Sequence, residues 1–414
     1  MKTFKKLFFY CFILFIAEDI HSQSFSWQDV LSESKKLNST LIRAEESIKN
    51  ARLSYHVSFT NFLPQLSASA GISESKSDVS DIRESYSYGL SGRLSLFSGF
   101  SDISQLKSRK LDLQIAELEY KRVLSDTIYN LKTSFVNLLY AQETVKLSEE
   151  ILKRRSEIYE LVKFKYDAGL EDKGSLLRVE ADKYQAEYDL SKSKRNIRTA
   201  SVQMLKDIGK DEFEVIVVTG SLNVYISTDV VPTYKVIKEI PDYMIAEKNM
   251  EKSEYNIKSA RSEFFPSLSL SGSINKSGED WASMTESQSV GLSLSYPFFP
   301  GGRNFYNLKI AKTNKRISEE TFRFIKQGLV VNLESTWNNF VDASENVKVS
   351  ERYFDASEQQ SEIRTTKYIN GLISYQDWYT SENDYISSKR TLLNSKRNAI
   401  LSEISWKKFL GLAE

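Results

Sequence analysis

The 414-residue chain has one cysteine, Cys11, and two histidines, His21 and His56. Cys11 and His21 both fall within an apolar leader, Met1 to Gln23. Beyond the leader no cysteine remains, which excludes a disulfide framework, a cysteine-based zinc site and a thiol nucleophile. Prolines number 6 and glycines 16, few for an all-β chain with its many tight turns. Neither charge sign dominates, with 56 Lys+Arg against 55 Asp+Glu. Bulk attraction to nucleic acid or to an anionic surface is therefore excluded, and no nucleic-acid partner is expected. Outside the leader no apolar run reaches the ~18 residues of a membrane helix. Gly-rich phosphate loops, HExxH, GxSxG and metal-spaced clusters are missing. Gly301-Gly302 follows a strand-like run but lacks the rest of a dinucleotide fingerprint. His56 lies on a helix with no visible partner and reads as a surface or interface residue. Neither catalysis nor a cofactor or metal is expected.

What is present starts with the leader. Lys2, Lys5 and Lys6 form a basic stretch, and Leu7 to Ala17 is an unbroken apolar run. That reads as a secretory signal peptide over 1–22, too short for a membrane span. Cleavage is expected near Ser22, although Glu18 and Asp19 make the cleavage region untidy. Cys11 sits inside the apolar stretch, so no lipid anchor is expected. A retained N-terminal anchor helix is the alternative. Apolar residues make up 41% of the chain and charged residues 27%, a balance that suits long amphipathic helices with thin packed seams.

The chain carries two copies of one unit, at a constant offset of 202 in residue number. That offset pairs Pro64 with Pro266, Gly89 with Gly291, Phe97 with Phe299 and Gly99 with Gly301. It also pairs Lys165-Tyr166 with Lys367-Tyr368, Gly169-Leu170 with Gly371-Leu372, and Gly209 with Gly411. No insertion is needed, so chance similarity between helices is excluded. The period is too long for a solenoid. Residues 23–209 form the first unit, 210–240 an irregular linker and 241–414 the second. A short helix near Trp27–Lys36 precedes the first copy. Each copy then predicts a helix (Thr40–Asn61, Asp242–Glu263), two strands, a long helix and a final helix.

The strands alternate strictly. Leu66, Ala68, Ala70 and Ile72 oppose Ser67, Ser69, Gly71 and Ser73; Leu268, Leu270, Gly272 and Ile274 oppose serines. The return strands repeat this, with Val290, Leu292, Leu294, Tyr296 and Phe298 opposite Ser289, Gly291, Ser293 and Ser295. One apolar face and one Ser/Gly face suit a membrane β-strand beside a watery lumen. The alternative is a half-buried soluble sheet. The strands are placed at about 64–75, 86–97, 266–277 and 287–298, with external loops at Glu74–Ser85 and Lys276–Ser287. Four strands cannot close in lipid, where each unpaired backbone group costs several kcal/mol. Two copies would give a filled eight-stranded barrel and three a twelve-stranded barrel with an aqueous lumen.

The long helices are expected at Ser101–Ala168 and Arg303–Asn370. Each is ~100 Å at ~1.5 Å per residue. Ile128, Leu131, Phe135, Leu138, Val145 and Leu152 recur at coiled-coil spacing between charged faces. The two shorter helices of each copy total ~84 Å. Laid end to end beside the long one they leave a gap of ~18 Å, which the short helix and the 210–240 linker could fill as a belt.

The runs Asn61-Phe-Leu-Pro-Gln-Leu-Ser-Ala-Ser-Ala-Gly71, Leu96-Phe-Ser-Gly-Phe100, Phe265-Pro-Ser-Leu-Ser-Leu-Ser-Gly272, Tyr296-Pro-Phe-Phe-Pro-Gly-Gly302 and Lys367-Tyr-Ile-Asn-Gly-Leu372 resemble the TolC family of outer-membrane efflux proteins. The ordered, duplicated set carries the resemblance. It implies a mostly α protein with a membrane β-barrel portion, working as a homotrimer. A 12-stranded barrel would sit in outer-membrane lipid and an α-helical barrel would cross the periplasm. It implies a passive exit duct docked to a periplasmic adaptor (membrane fusion) protein and an inner-membrane transporter of RND, ABC or MFS type. Cargo would be drugs, metals or secreted polypeptide, and no Met- or His-lined metal relay is evident. The rival reading is a secreted coiled-coil structural or adaptor protein without a pore.

Gly169 and Gly371 end the long helices, with Asp172 and Ser374 as N-caps of the next. Ser374-Tyr-Gln-Asp377 reads as a capping box. By resemblance this end closes the tunnel. Asp377 matches a pore-ring carboxylate and Tyr368 a gate tyrosine; the other reading of Asp377 is a helix cap only. Gly169, Leu170, Gly371 and Leu372 become candidates for adaptor contact, or are simple turn residues. Thr380 and Ser175 stand where family members often carry further acids, so closure by paired acid rings is in doubt.

Overall fold

The computed structural model describes residues 24–77, 80–211, 214–223 and 234–411. The leader, and with it the expected cleavage site and Cys11, lies outside the described residues. Helix α1 (Trp27–Leu37) leads directly into α2 (Ser39–Thr60). Strands β2 (Gln65–Ser77) and β3 (Ser80–Phe97) follow, then α3 (Ser101–Asp167) and α4 (Lys173–Ile208). After a linker come α5 (Pro241–Ser262), β5 (Ser267–Gly278), β6 (Thr285–Ser295), α6 (Arg303–Ile369) and α7 (Tyr375–Phe409). Two-residue strands β1 (Ser24–Phe25) and β4 (Val217–Val218) pair in parallel. The starts of α2 and α5, of α3 and α6, and of α4 and α7 all keep the offset read from the sequence.

Helices α3 and α6 each run 67 residues, ~100 Å. No proline falls in either, and Gly328 is the one glycine between them. Nothing local stops the hydrogen-bond ladder until a glycine does. Leu170 N–H reaches Lys165 C=O at 2.8 Å and Gly169 N–H reaches Tyr166 C=O at 2.9 Å. Leu372 and Gly371 repeat this on Lys367 and Tyr368 at 2.9 and 3.1 Å. Gly169 and Gly371 take φ of 74° and 72°. This is the Schellman closure, which needs the left-handed conformation glycine adopts without penalty.

Helices α2 and α4 lie along α3, as α5 and α7 lie along α6. Small residues line these seams. Ser134, Ser148, Ser193 and Ser395 are buried, and each hydroxyl donates to a carbonyl three or four residues back on its own helix. Backbones therefore approach closely with no orphaned hydroxyl at these four positions. The ends of α2 and α4 meet at mid-length. Asn38 caps α2, accepting from Thr40 and Leu41 N–H, and donates to Asp207 C=O at 2.7 Å. Phe25, Val30, Ile216 and Val218 join Leu131, Phe135, Leu138, Met204 and Ile208 in a core around this joint. In the second copy Ile237 and Ile240 pack with Leu329, Leu333, Phe340 and Trp406. Within the 210–240 segment, β4 and a short 3-10 turn (Tyr234–Glu239) cover the middle of the long helices.

The four long strands form one antiparallel sheet in the order β2-β3-β5-β6. The expected loops are shorter than the sequence suggests. Ser73, Glu74 and Ser75 pair with Ser85, Glu84 and Arg83, so the ladder runs on through the polar stretch assigned to a loop. Likewise β5 and β6 pair out to Ser277 and Thr285. A polar sequence hides a hairpin extension because backbone pairing asks nothing of the side chains.

Gly209 has φ of 99° and closes against the α1–α2 joint, where an added Cβ would strike the Leu37 carbonyl. Gly209→Ala is expected to cost about 1–3 kcal/mol. Thermal unfolding of the detergent-extracted protein would read this as a lower midpoint.

Candidate functional site

Two regions carry the chemistry: the outer face of the sheet and the far tip of the helices. On the sheet the apolar face stands uncovered. Leu66 is 83% exposed and Val290 85%, with Ile72, Leu90, Leu292 and Leu294 also exposed; Tyr296 and Phe298, expected on the last strand, lie past its end at Ser295. A continuous exposed apolar surface of this kind marks an interaction site. Aromatic residues mark its two limits. At one end Trp281 lies against Tyr86 and Tyr88, with centroids 5.2 and 6.3 Å away. At the other, Phe97 and Phe265 pack edge-on to Phe100 at 5.1 and 6.1 Å. Nine residues separate Tyr88 from Phe97. At ~3.4 Å per residue and a tilt near 40° the band is about 23 Å tall, against ~25 Å for a membrane barrel. The opposite face is polar, and Ser67 and Ser91 pair at 2.8 Å, Ser273 and Ser289 at 2.9 Å. No helix among the described residues is long and apolar enough to cross a membrane.

At the tip, the α3–α4 and α6–α7 hairpins pack together. Ile158 and Val162 of α3, Val179 of α4, Tyr368 of α6 and Trp378 of α7 share one core. Tyr368 is 2% exposed and stacks on Trp378, centroids 4.2 Å apart and planes at 6°. Its hydroxyl donates to Glu171 at 2.7 Å, across to the other hairpin. Lys165 Nζ donates to Tyr368 C=O at 2.6 Å and lies 3.9 Å from its ring centroid. Burial, then the Glu171 carboxylate, holds the Tyr368 phenol well above the ordinary tyrosine range, so it stays a neutral donor.

A second layer lies above. Glu382 is 1% exposed. Arg154 grips it through Nε at 2.7 Å and Nη2 at 2.9 Å, and Ser361 and Thr365 donate to the same carboxylate. Thr365 in turn accepts from Trp378 Nε1 at 2.9 Å, joining this layer to the stacked pair. Burial opposes charge on Glu382. The hydrogen bonds from Arg154 and Ser361 outweigh it and hold the carboxyl below the usual range. Nearby, Tyr379 donates to Asp182 at 2.7 Å and accepts from Arg178 Nε at 2.8 Å.

The residues singled out from sequence take distinct positions. Asp377 is exposed on the first turn of α7. Its N–H donates to Ser374 Oγ at 3.1 Å, and Ser374 Oγ donates back to its carboxylate at 2.7 Å. The expected capping box is thus half formed, since the carboxylate takes the hydroxyl and not the Ser374 backbone N–H. Asp172 caps α4, accepting from Ser175 N–H at 3.0 Å and Ser175 Oγ at 2.8 Å. Leu170 and Leu372 project exposed from the two turns, and a Cβ at Gly169 or Gly371 would meet nothing within 4 Å. Thr380 Oγ1 bonds back to Gln376 C=O and adds no acid. Sequence reasoning missed Glu171, Trp378, Arg154 and Glu382. The spacing of Tyr368 and Trp378 either side of the turn was the available signal for the stacked pair. Nothing local predicts Arg154 against Glu382, which lie more than half the chain apart.

A lipid-facing sheet joined to ~100 Å helical hairpins defines a membrane channel subunit. The comparisons with known proteins agree. The family described as "Outer membrane efflux protein" matches residues 30–210 and 234–412. The chain is 24% identical to the probable outer membrane lipoprotein SilC of Salmonella typhimurium, over 92% of this chain and 85% of that one. It is 21% identical to toxin and drug export protein A of Aggregatibacter actinomycetemcomitans, covering 88% and 82%. A crystal structure of CusC superposes with a TM-score of 0.85 at 20% identity, covering 94% of each chain. The protein belongs to the outer membrane efflux protein family. It is an outer-membrane export duct, and these relatives are channel proteins rather than enzymes. The pore-free coiled-coil alternative finds no support.

Glu382 contributes stability above its unfolded pKa, about 4.3, and loses it as pH falls through its lowered folded value. Glu382→Ala removes the acceptor shared by Arg154, Ser361 and Thr365 and is expected to cost about 1–3 kcal/mol. Hydrogen exchange should show faster amides in α6 and α7 around the tip at neutral pH, and wild type should approach the variant on strong acidification.

Proposed function

We propose that three copies of this chain close a 12-stranded barrel in the outer membrane and an α-helical tunnel in the periplasm. The observation that carries this is the sheet itself. All four strands present an apolar band on one face and Ser/Gly on the other, while β2 and β6 end the sheet with open edges. In lipid those edges need strands from other copies. Three copies leave an aqueous lumen where two would fill it. On this reading residues 1–22 are a signal peptide, 23–209 and 241–414 are the duplicated units, and 210–240 is an equatorial connection.

The duct is passive and works with a periplasmic adaptor and an inner-membrane transporter, which supply energy and choose the cargo. One relative is named for toxin and drug export, in keeping with small toxic molecules as cargo here. Leu170 and Leu372 offer the adaptor two exposed apolar side chains per pair of hairpins, beside the open turns at Gly169 and Gly371. Asp377 narrows the exit as a ring of three carboxylates, while Tyr368, locked to Glu171, holds the two hairpins of one chain together as the gate. A ring of acids favours cations.

Native mass spectrometry of the detergent-extracted outer-membrane fraction is expected to give three mature chains; a monomer in the soluble fraction would overturn the proposal. Asp377→Asn should lower cation preference in bilayer conductance, and unchanged selectivity would remove Asp377 from the gate. A side chain at Gly371 meets open space, but the φ of 72° strains any substitution by about 1–3 kcal/mol, so Gly371→Trp should impair export in a drug-sensitivity assay beyond Gly371→Ala, which carries the same strain, while the trimer persists. Full export would argue against adaptor contact there.

A further inference from the structure

Charge is scarce on the polar face of the sheet. Leu66, Ala68, Ala70 and Ile72 set the apolar face of β2, so its odd-numbered residues point the other way. The ladders carry that second face across all four strands. Ser67 stands opposite Ser91, Ser91 opposite Ser273 and Ser273 opposite Ser289. The hydroxyl contacts Ser67–Ser91 and Ser273–Ser289 confirm that these side chains share it. On this face the residues from Gln65 to Ser73, Ser85 to Ser95, Ser267 to Asn275 and Ser287 to Ser295 are Ser, Gly, Asn or Gln, with Arg93 as the exception.

Arg93 lies opposite Gln65 of β2 on one side and Ser271 of β5 on the other. Its side chain is exposed and, among the described residues, makes neither an ion pair nor a hydrogen bond. Arg83, further along the same face, is different, with Glu279 at 3.9 Å. The offset of 202 takes Arg93 to Ser295, so the second copy carries no charge at that position. Pairing does not require the guanidinium, since the ladder is made by backbone groups and Ser295 serves it equally on β6. Nothing inside the chain uses this charge.

We infer that Arg93 of three copies forms a ring of guanidinium groups inside the barrel and makes that segment of the duct favour anions. This rests on the trimeric barrel proposed above. Threefold symmetry puts the three side chains at one height. Arg93 is four residues before Phe97, which at ~3.4 Å per residue and a tilt near 40° sets the ring about 10 Å inside the nearer aromatic belt. Twelve strands ~4.8 Å apart at that tilt give a backbone radius of about 12 Å. The whole cross-section then lies within roughly one Debye length, ~10 Å at 0.1 M salt, of the ring. For charges ~6–9 Å from the axis, screened Coulomb attraction in water raises the anion concentration there roughly three- to sevenfold. The serine hydroxyls around the ring are neutral donors and offset none of it. The solutes favoured are those carrying a carboxylate, phosphate or sulfonate group. The barrel thus has the opposite sign to the Asp377 carboxylates proposed for the far tip.

The test is conductance of the purified protein in planar bilayers under a KCl gradient, with hexacyanoferrate(II), a highly charged anion, then added on the barrel side. Wild type is expected to be blocked by the added anion. Arg93→Gln should lower the chloride-to-potassium permeability ratio about threefold or more and weaken the block. Arg93→Lys should keep both, because the charge and not the guanidinium shape carries the effect. Arg93 has no partner to lose, so native mass should show each variant assembled as the wild type is. An unchanged ratio and unchanged block in a trimeric Arg93→Gln preparation would overturn the ring and leave the barrel. A monomeric native mass of the wild type would overturn both.

Discussion

A backbone N–H or C=O left unpaired in hydrocarbon costs several kcal/mol, and that single fact organises this protein. Its sheet of β2, β3, β5 and β6 pairs internally along three ladders and stops at two bare edges. The apolar face would be an aggregation hazard in water, and the edges would be one in lipid. In the proposed assembly both are resolved, the face by lipid and the edges by other copies. The helices inherit this arrangement. Each strand pair is flanked by helices held at its base by the glycines of the turn, Gly99 and Gly301, with φ of 64° and 66°.

Magnitudes decide what holds the hairpins. Most ion pairs here are exposed, such as Lys49–Glu46 and Lys146–Glu143, and each contributes roughly 0–1 kcal/mol. A buried leucine truncated to alanine costs about 2–5 kcal/mol, so Leu131, Leu138 and Leu333 outweigh the whole charged rim near them. The exposed pairs set register and solubility. The exception is Glu382, where burial turns a surface-type pair into a clamp that must be fully satisfied. Four donors from three side chains of α3 and α6 meet it.

Much of this was legible in the sequence, and for identifiable reasons. Period two in Leu66 to Ser73 is a local property, and so is the absence of proline through Ser101–Asp167. The offset was legible because gaps never intervened: α3 and α6 begin and end in the same register of the two copies. Turn glycines could be read because positive φ narrows the choice of residue. The tip chemistry could not be read in the same way. Glu171 bonding Tyr368 and Arg154 bonding Glu382 depend on how two hairpins rotate against each other, which no local pattern encodes. The strand extension through Glu74 and Glu84 was hidden for the opposite reason: ladder pairing carries no side-chain signal. The Asp377 cap forms only in part: its N–H reaches Ser374 Oγ, and its carboxylate takes the Ser374 hydroxyl alone.

Duplication explains why the two hairpins can share a frame and still differ in chemistry. Helix lengths and turn glycines are fixed by geometry, so both copies keep them to the residue. Side chains at the seams answer only to whatever faces them. Inside the chain the tip faces Glu171 and Glu382, and both are paired. At the equivalent positions of the other copy stand Tyr166 with Ile373 and Ala356 with Glu180, so neither bond has a counterpart there. The two hairpins of one chain are therefore tied by buried, charge-assisted bonds. In the proposed tube these bonds stiffen the tip within each chain.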